Sequence, residues 1–267
     1  MTAGPTGYGA AMTTALITGA TAGIGAAFAR RLASDGHALV LVARQSPRLD
    51  ETARRLREEF GVDVEALPAD LAGEEGIAAV EARLADREAP VDLLVNNAGF
   101  GQRGGFLKVP VEDELAMLRV HVEAVLRLTS AAAVSMRERG RGGIVNVASV
   151  AAFFARGTYG ASKAWVVSFS RGVAQDLAGS GVRITAVCPG FTRTEFHERA
   201  GMDVSGVGRP LWLSAQEVVD TALRDVARGR VVSIPGWQYR TLVGLGRLTP
   251  SRLAERISSR SGRKYRD

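Results

Sequence analysis

The chain has 267 residues, a formal net charge of +6 and one cysteine, Cys188. That length suits one large α/β domain with a full core, and a lone cysteine leaves no internal disulfide and fits a reducing, cytoplasmic compartment. The basic excess is local: from Arg240 onward eight basic residues face two acidic ones, so the body is neutral and nucleic acid is not expected as a partner.

Residues 1–12 are small, Gly-rich and aperiodic, and are expected to form a disordered leader before a domain over 13–237. The apolar run 15–18 reads as a strand. It leads into Gly19-Ala-Thr21-Ala-Gly23-Ile24-Gly25 and a helical pattern to Ser34. Strand, glycine loop and helix make a phosphate-binding arrangement, because glycines let the backbone approach a pyrophosphate at the helix start. Residues 38–43 form a continuous apolar run that suits a strand buried on both faces. An acidic residue at its end would bind the ribose 2′-hydroxyl of NAD, but the run ends in Ala43-Arg44, which suits the 2′-phosphate of NADP.

A helix is expected over 47–60 and a third strand over 62–67, followed by Asp70, which also suits a helix cap. After a helix to about 84, residues 91–95 give a fourth strand that runs into Asn96-Asn97-Ala98-Gly99. One long helix is expected over 111–137, with His121 near its middle. The fifth strand, 143–149, ends in Ser149, and Tyr159 opens the next helix. The sixth strand, 182–187, leads to Pro189-Gly190-Phe191-Thr192-Arg193-Thr194. Residues 195–213 read as a mobile substrate-covering segment, Ser214-Ala-Gln-Glu217 as a capping box, and 231–234 as a seventh strand. This alternation predicts a single Rossmann-type doubly wound α/β domain, a mostly parallel seven-stranded sheet with helices on both faces.

Tyr159 and Lys163 stand four apart on one helix face, so the ammonium can act on the phenol. Bringing a phenol from ~10 toward neutrality takes roughly 4 kcal/mol of preferential stabilisation of the phenolate. Tyr-x-x-x-Lys is common by chance, and its weight comes from the rest of the chain.

The ordered set Thr18-Gly19-x-x-x-Gly23-Ile24-Gly25, Asp70, Asn96-Asn97-Ala98-Gly99, Ser149, Tyr159-x-x-x-Lys163 and Pro189-Gly190-x-x-x-Thr194 resembles the short-chain dehydrogenase/reductase family. The resemblance covers residues 14–237. It implies that the glycine loop, with Thr21, holds a dinucleotide pyrophosphate and that Asp70 meets adenine. Asn97, Ala98 and Gly99 would support the sheet beside the cofactor, and Pro189, Gly190, Thr192 and Thr194 would line its nicotinamide end. It further implies a carbonyl/alcohol interconversion with Tyr159 as general acid/base. Lys163 would lower the tyrosine pKa and hold the ribose, and Ser149 would fix the substrate oxygen. Family members are usually dimers or tetramers.

Two departures stand out. His121 occupies the position where the family carries an asparagine that bends the helix and holds a relay water, so it is either a proton carrier or a buried structural residue. The segment between Ser149 and Tyr159 is about three residues short of the family pattern. The reading is therefore an NADP(H)-dependent oxidoreductase acting on a hydrophobic substrate, from Phe100, Phe153, Phe154, Phe191 and Phe196 near strand ends. No metal is expected. The alternative is a dinucleotide-binding sensor or scaffold. The basic extension 238–267 is expected to cover a pocket or a subunit rather than rest on an anionic membrane surface.

Overall fold

The computed structural model describes residues 13–248 except 103 and 105. The expected leader and the end of the basic tail lie outside the described residues. In chain order the elements are β1 (Thr14–Thr18), α1 (Gly23–Ser34), β2 (Ala38–Ala43), α2 (Pro47–Phe60), β3 (Val64–Pro68), α3 (Glu74–Ala85) and β4 (Leu93–Asn96). They continue with α4 (Val111–Leu118), α5 (Ala124–Glu138), β5 (Gly142–Val147), α6 (Gly157–Asp176), β6 (Val182–Val187), α7 (Phe196–Arg199), α8 (Ala215–Ala227), β7 (Val232–Ser233) and α9 (Trp237–Leu248). The seven strands form one sheet in the order β3-β2-β1-β4-β5-β6-β7, every pairing parallel. The order reverses between β1 and β4, which opens a crevice at their carboxyl ends.

The periodicities explain the layers. Leu39, Val40, Leu41 and Val42 are all buried, as a strand covered on both faces requires. On one face Phe28 and Leu32 of α1, Leu49 and Leu56 of α2, and Val218 and Ala222 of α8 share a core. On the other, Ile77 and Val80 of α3 and Leu128 and Met136 of α5 form a second. Helix α2 stops at Gly61, whose φ of 67° suits the left-handed conformation that ends helices. Ser214 caps α8 by accepting the Glu217 N–H at 3.1 Å.

Two expectations need correction. The long helix is not continuous: Arg119–Glu123 is a π-helical turn between α4 and α5, and no Gly or Pro marks the break. The fifth strand stops at Val147, and Ser149 instead caps the 3₁₀ turn Val150–Phe153 by accepting the Ala151 N–H at 3.1 Å. The start of the basic extension packs on the domain. Tyr239 and Val243 of α9 are buried, and Tyr239 belongs to the first core.

Candidate active site

The glycine loop follows from close approach. A Cβ on Gly25 would lie 2.2 Å from the Gly19 carbonyl oxygen, and Gly19 and Gly23 have φ of 65° and 53°. Thr18 ties the loop to the sheet: its Oγ1 accepts the N–H groups of Asn97 at 2.9 Å and Ala98 at 3.0 Å. Asn97 Nδ2 donates back to the carbonyls of Thr18 at 2.9 Å and Gly19 at 3.2 Å. Asn97 thus spends its amide on holding the loop. Ala22, at the N-cap of α1, supplies no side-chain cap, so the first-turn N–H groups are left for an anion. A cradle with no room for a Cβ at Gly25, beside an uncapped helix start, fits a dinucleotide pyrophosphate.

Around this loop, β2 ends against Gly19, whose N–H donates to Val42 O at 2.8 Å, so Arg44 emerges beside the cradle. Arg44 is exposed and makes no salt bridge among the described residues. Asp70 is exposed and closes its own turn by accepting the Ala72 N–H at 3.0 Å, while Gly73 is the N-cap of α3. It is therefore not a helix cap. Thr194 sits against Gly23, where a Cβ would come 3.1 Å from the Thr194 Cβ.

Ser149, Tyr159 and Lys163 converge past the end of β5. The Ser149 hydroxyl lies near enough to the Tyr159 phenol to favour its ionised form. Lys163 is buried, donates to the Val147 carbonyl at 3.0 Å, and has its Nζ 5.9 Å from the Tyr159 ring centroid. The expectation that Lys163 pulls the phenol down is not met. Burial dominates and pushes Tyr159 up to about 12, offset in part by Ser149, and burial brings Lys163 down to about 8. The ammonium is aimed at a backbone carbonyl, and desolvation is the larger influence on both groups.

His121 is fully buried in the π turn. Its Nε2 accepts the Phe100 N–H at 3.1 Å, so Nδ1 carries the proton and donates to Ser162 Oγ at 3.0 Å. Ser162 Oγ in turn donates to the Tyr159 carbonyl at 2.8 Å. Burial, helped by the Lys163 charge, holds the imidazole pKa well below its usual value. The Tyr159 ring is flanked by His121, edge-on with centroids 5.7 Å apart, and by Phe196 at 6.0 Å. Phe196 and Ala200 also close on Gly101. A cleft of about 570 Å³ opens beside Thr194, His197, Met202 and Trp212, outside the Phe196 cover rather than over Tyr159.

Two groups escaped the motif reading. Tyr239 lies flat on Gly190, where a Cβ would meet its ring at 2.0 Å; its hydroxyl accepts the Phe191 N–H at 2.9 Å and donates to the Leu211 carbonyl. Asn146 Oδ1 accepts from Asn96 Nδ2 at 2.9 Å, and Asn146 Nδ2 donates to Ser170 at 3.1 Å, while Asn96 also donates to Thr129 at 3.1 Å. This buried network locks β4, β5, α5 and α6 beneath the site.

A doubly wound sheet, a glycine cradle at its switch point and a Ser-Tyr-Lys cluster define a dinucleotide-dependent oxidoreductase. Residues 13–204 match the short chain dehydrogenase family, and the chain belongs to that family. It is 37% identical over 230 residues to a protein named as a ketoacyl reductase of the granaticin polyketide synthase from Streptomyces violaceoruber, covering 84% of this chain and 82% of that one. It also resembles a short-chain dehydrogenase from Sphingobium yanoikuyae solved in complex with NADPH, at 42% identity and TM-score 0.80 over 88% of this chain and 94% of that one. A third relative is the bulky-bulky ketone specific alcohol dehydrogenase from Comamonas testosteroni, at 35% identity and TM-score 0.76 over 88% and 92%. Solved relatives include complexes with NADPH and with NAD. Among the described residues no helix is long and apolar enough to cross a membrane, and no group of side chains is arranged to hold a metal.

Proposed function

We propose that the protein is an NADP(H)-dependent oxidoreductase that interconverts a bulky hydrophobic ketone or aldehyde with its alcohol. The observation that carries this reading is the convergence of Ser149, Tyr159 and Lys163 beside a cradle fit for a dinucleotide. When bound there, the reduced nicotinamide supplies the hydride that the carbonyl carbon accepts. Ser149 Oγ holds the carbonyl oxygen, and the Tyr159 hydroxyl gives that oxygen its proton. A phenol at about 12 is fully protonated at neutral pH, the form a general acid needs. The nearby Lys163 ammonium balances the phenolate that remains. His121 positions rather than relays: both ring nitrogens are engaged, and through Ser162 it steadies the Tyr159 backbone.

The NADP preference rests on Arg44, whose planar fork suits a 2′-phosphate, and on the NADPH-bound relative at 42% identity. Asp70 on the adenine side and Thr192 and Thr194 at the nicotinamide end complete the cofactor contacts in this reading. The hydrophobic substrate rests on Phe196 and Phe100 around the Tyr159–His121 pair and on the ketone class in the name of the Comamonas enzyme. A cytoplasmic homo-oligomer built through helices on the sheet's faces fits the exposed Leu126 and Val134 of α5.

The test is consumption of NADPH and of NADH by the purified protein against hydrophobic ketones and aldehydes, with Tyr159→Phe and Arg44→Leu as variants. Turnover with NADPH, a loss of ~10²–10⁴-fold in Tyr159→Phe, and a ~10–100-fold rise in the NADPH KM alone in Arg44→Leu are the expected results. Tight NADPH binding with no turnover on any carbonyl would instead leave a dinucleotide-binding protein without this chemistry. Turnover of small polar sugars alone would overturn the substrate class.

A further inference from the structure

Residues 193–200 form a strap across the carboxyl ends of the strands. Its root is pinned where Arg193 N–H donates to Leu213 O at 2.9 Å and Leu213 N–H donates to Phe191 O at 2.8 Å. Beyond the root it rests on three separate parts of the site. Thr194 sits on Gly23 of the cradle, Phe196 on the Tyr159 ring, and Ala200 on Gly101. Those contacts are apolar and non-directional. One directional tie joins them: Arg48, at the start of α2, grips Glu195 with both arms of its fork, Nη2 to Oε1 at 2.7 Å and Nη1 to Oε2 at 3.2 Å. Among the described residues this is the only salt bridge between 193–203 and the rest of the chain, since the other on this segment joins Arg199 to the same Glu195 within the strap.

The two ends of the tie flank the trough. Arg48 lies four residues beyond Arg44, at the side where β2 ends, and Glu195 follows the threonine that covers Gly23. A dinucleotide held by Arg44 and the glycine cradle would have Thr194, the neighbour of Glu195, packed against the cradle beside it. The side chains of Arg48 and Glu195 are 48% and 44% exposed, so water and salt compete for them. Exposed pairs of this kind are weak. A weak tie is what an opening step repeated in every turnover can tolerate.

We propose that Arg48 and Glu195 form a latch that holds the strap closed over the bound dinucleotide, which makes them positioning residues that set the rate of cofactor release. This rests on the NADP(H) reading above. The experiment is stopped-flow displacement of NADPH, followed by its fluorescence, from the unaltered protein and from Arg48→Gln, Glu195→Gln and the double variant. Each single change should raise the NADPH off-rate about two- to five-fold, and the double variant should be no faster than the singles. Added salt should speed release more steeply from the unaltered protein than from Glu195→Gln, which keeps only the phosphate contacts for salt to screen. Hydrogen exchange in 193–200 should quicken equally in both single variants, a readout that needs no turnover.

An unchanged off-rate in Glu195→Gln would overturn the latch. So would slower release in Glu195→Gln together with faster release in Arg48→Gln, because Arg48 would then bind the phosphate itself and Glu195 would only compete for it. If the unaltered protein binds no NADPH but binds NADH, the cofactor reading fails separately, and the same displacement with NADH decides the latch.

Discussion

The Nε2 atom of His121 accepts the backbone N–H of Phe100 at 3.1 Å, which forces the imidazole proton onto Nδ1 and toward Ser162. An imidazole with both nitrogens engaged, and burial holding it neutral, has no free site from which to pass a proton. The pH profile of turnover should therefore show no limb from His121 between pH 5.5 and 8, and His121→Asn should keep the profile's shape while lowering its height. Loss of an acid limb in His121→Asn would instead make the imidazole a relay.

The same burial has a stability consequence whose sign follows from linkage. Below pH 6.5 the unfolded chain takes up a proton on His121 that the folded protein refuses, so stability falls as pH falls through that range and is unaffected above it. Melting temperatures recorded from pH 7 downward should drop less steeply for His121→Asn than for the unaltered protein. Parallel slopes would mean that His121 takes up its proton in the folded state as readily as in the unfolded chain.

Ser149→Ala removes the hydroxyl that meets the Tyr159 phenol and also the cap on the Ala151 N–H. Turnover should fall by ~10²–10³-fold, the cost of losing one donor to the developing oxyanion, while NADPH affinity measured by fluorescence stays within a few fold. Ser149→Thr keeps the hydroxyl and should recover part of the rate. Equal losses of turnover and NADPH binding would show that the variant has disturbed the cradle rather than the chemistry.

What the residues announced and what they hid divide along one physical line. Glycines with positive φ, the Ser-Tyr-Lys cluster and the continuous apolar run of β2 are visible because each type is required by a local geometry. The π turn at Arg119–Glu123 carries no Gly or Pro, so nothing local marks the break, and His121 was legible only as a departure from a family pattern. Asn146 and Tyr239 were invisible for a different reason. Their partners, Asn96, Ser170, Phe191 and Leu211, lie 24 to 50 positions away, and only the folded sheet brings them together. Lys163 illustrates the limit at a residue that was found: its identity was legible, but its preference for the Val147 carbonyl was not.

Burial that brings Lys163 down to about 8 sets a second pH dependence. As pH rises through about 8 the ammonium of the free protein loses its proton, and with it the charge available to an anionic cofactor and to the phenolate. The kcat/KM for NADPH, which reports the free protein, should therefore descend above about pH 8. A flat profile to pH 10 would place the lysine pKa well above that value. Lys163→Met should lack the limb and lose turnover at every pH.

Tyr239 offers the test of how α9 supports the site. Its ring covers Gly190, and its hydroxyl joins the Phe191 N–H to the Leu211 carbonyl, so one side chain binds the turn after β6 to the far end of residues 195–213. Tyr239→Phe keeps the ring packing and removes only the bridge, leaving a donor and an acceptor without their partner. The expected cost is ~1–3 kcal/mol of unfolding free energy, read as a lower urea midpoint at unchanged slope. Because Leu211 and Phe191 flank the root of the strap, KM for the carbonyl substrate should rise more than kcat falls. An unchanged midpoint would mean that water replaces the hydroxyl at no cost, and that α9 supports the site through its apolar face alone.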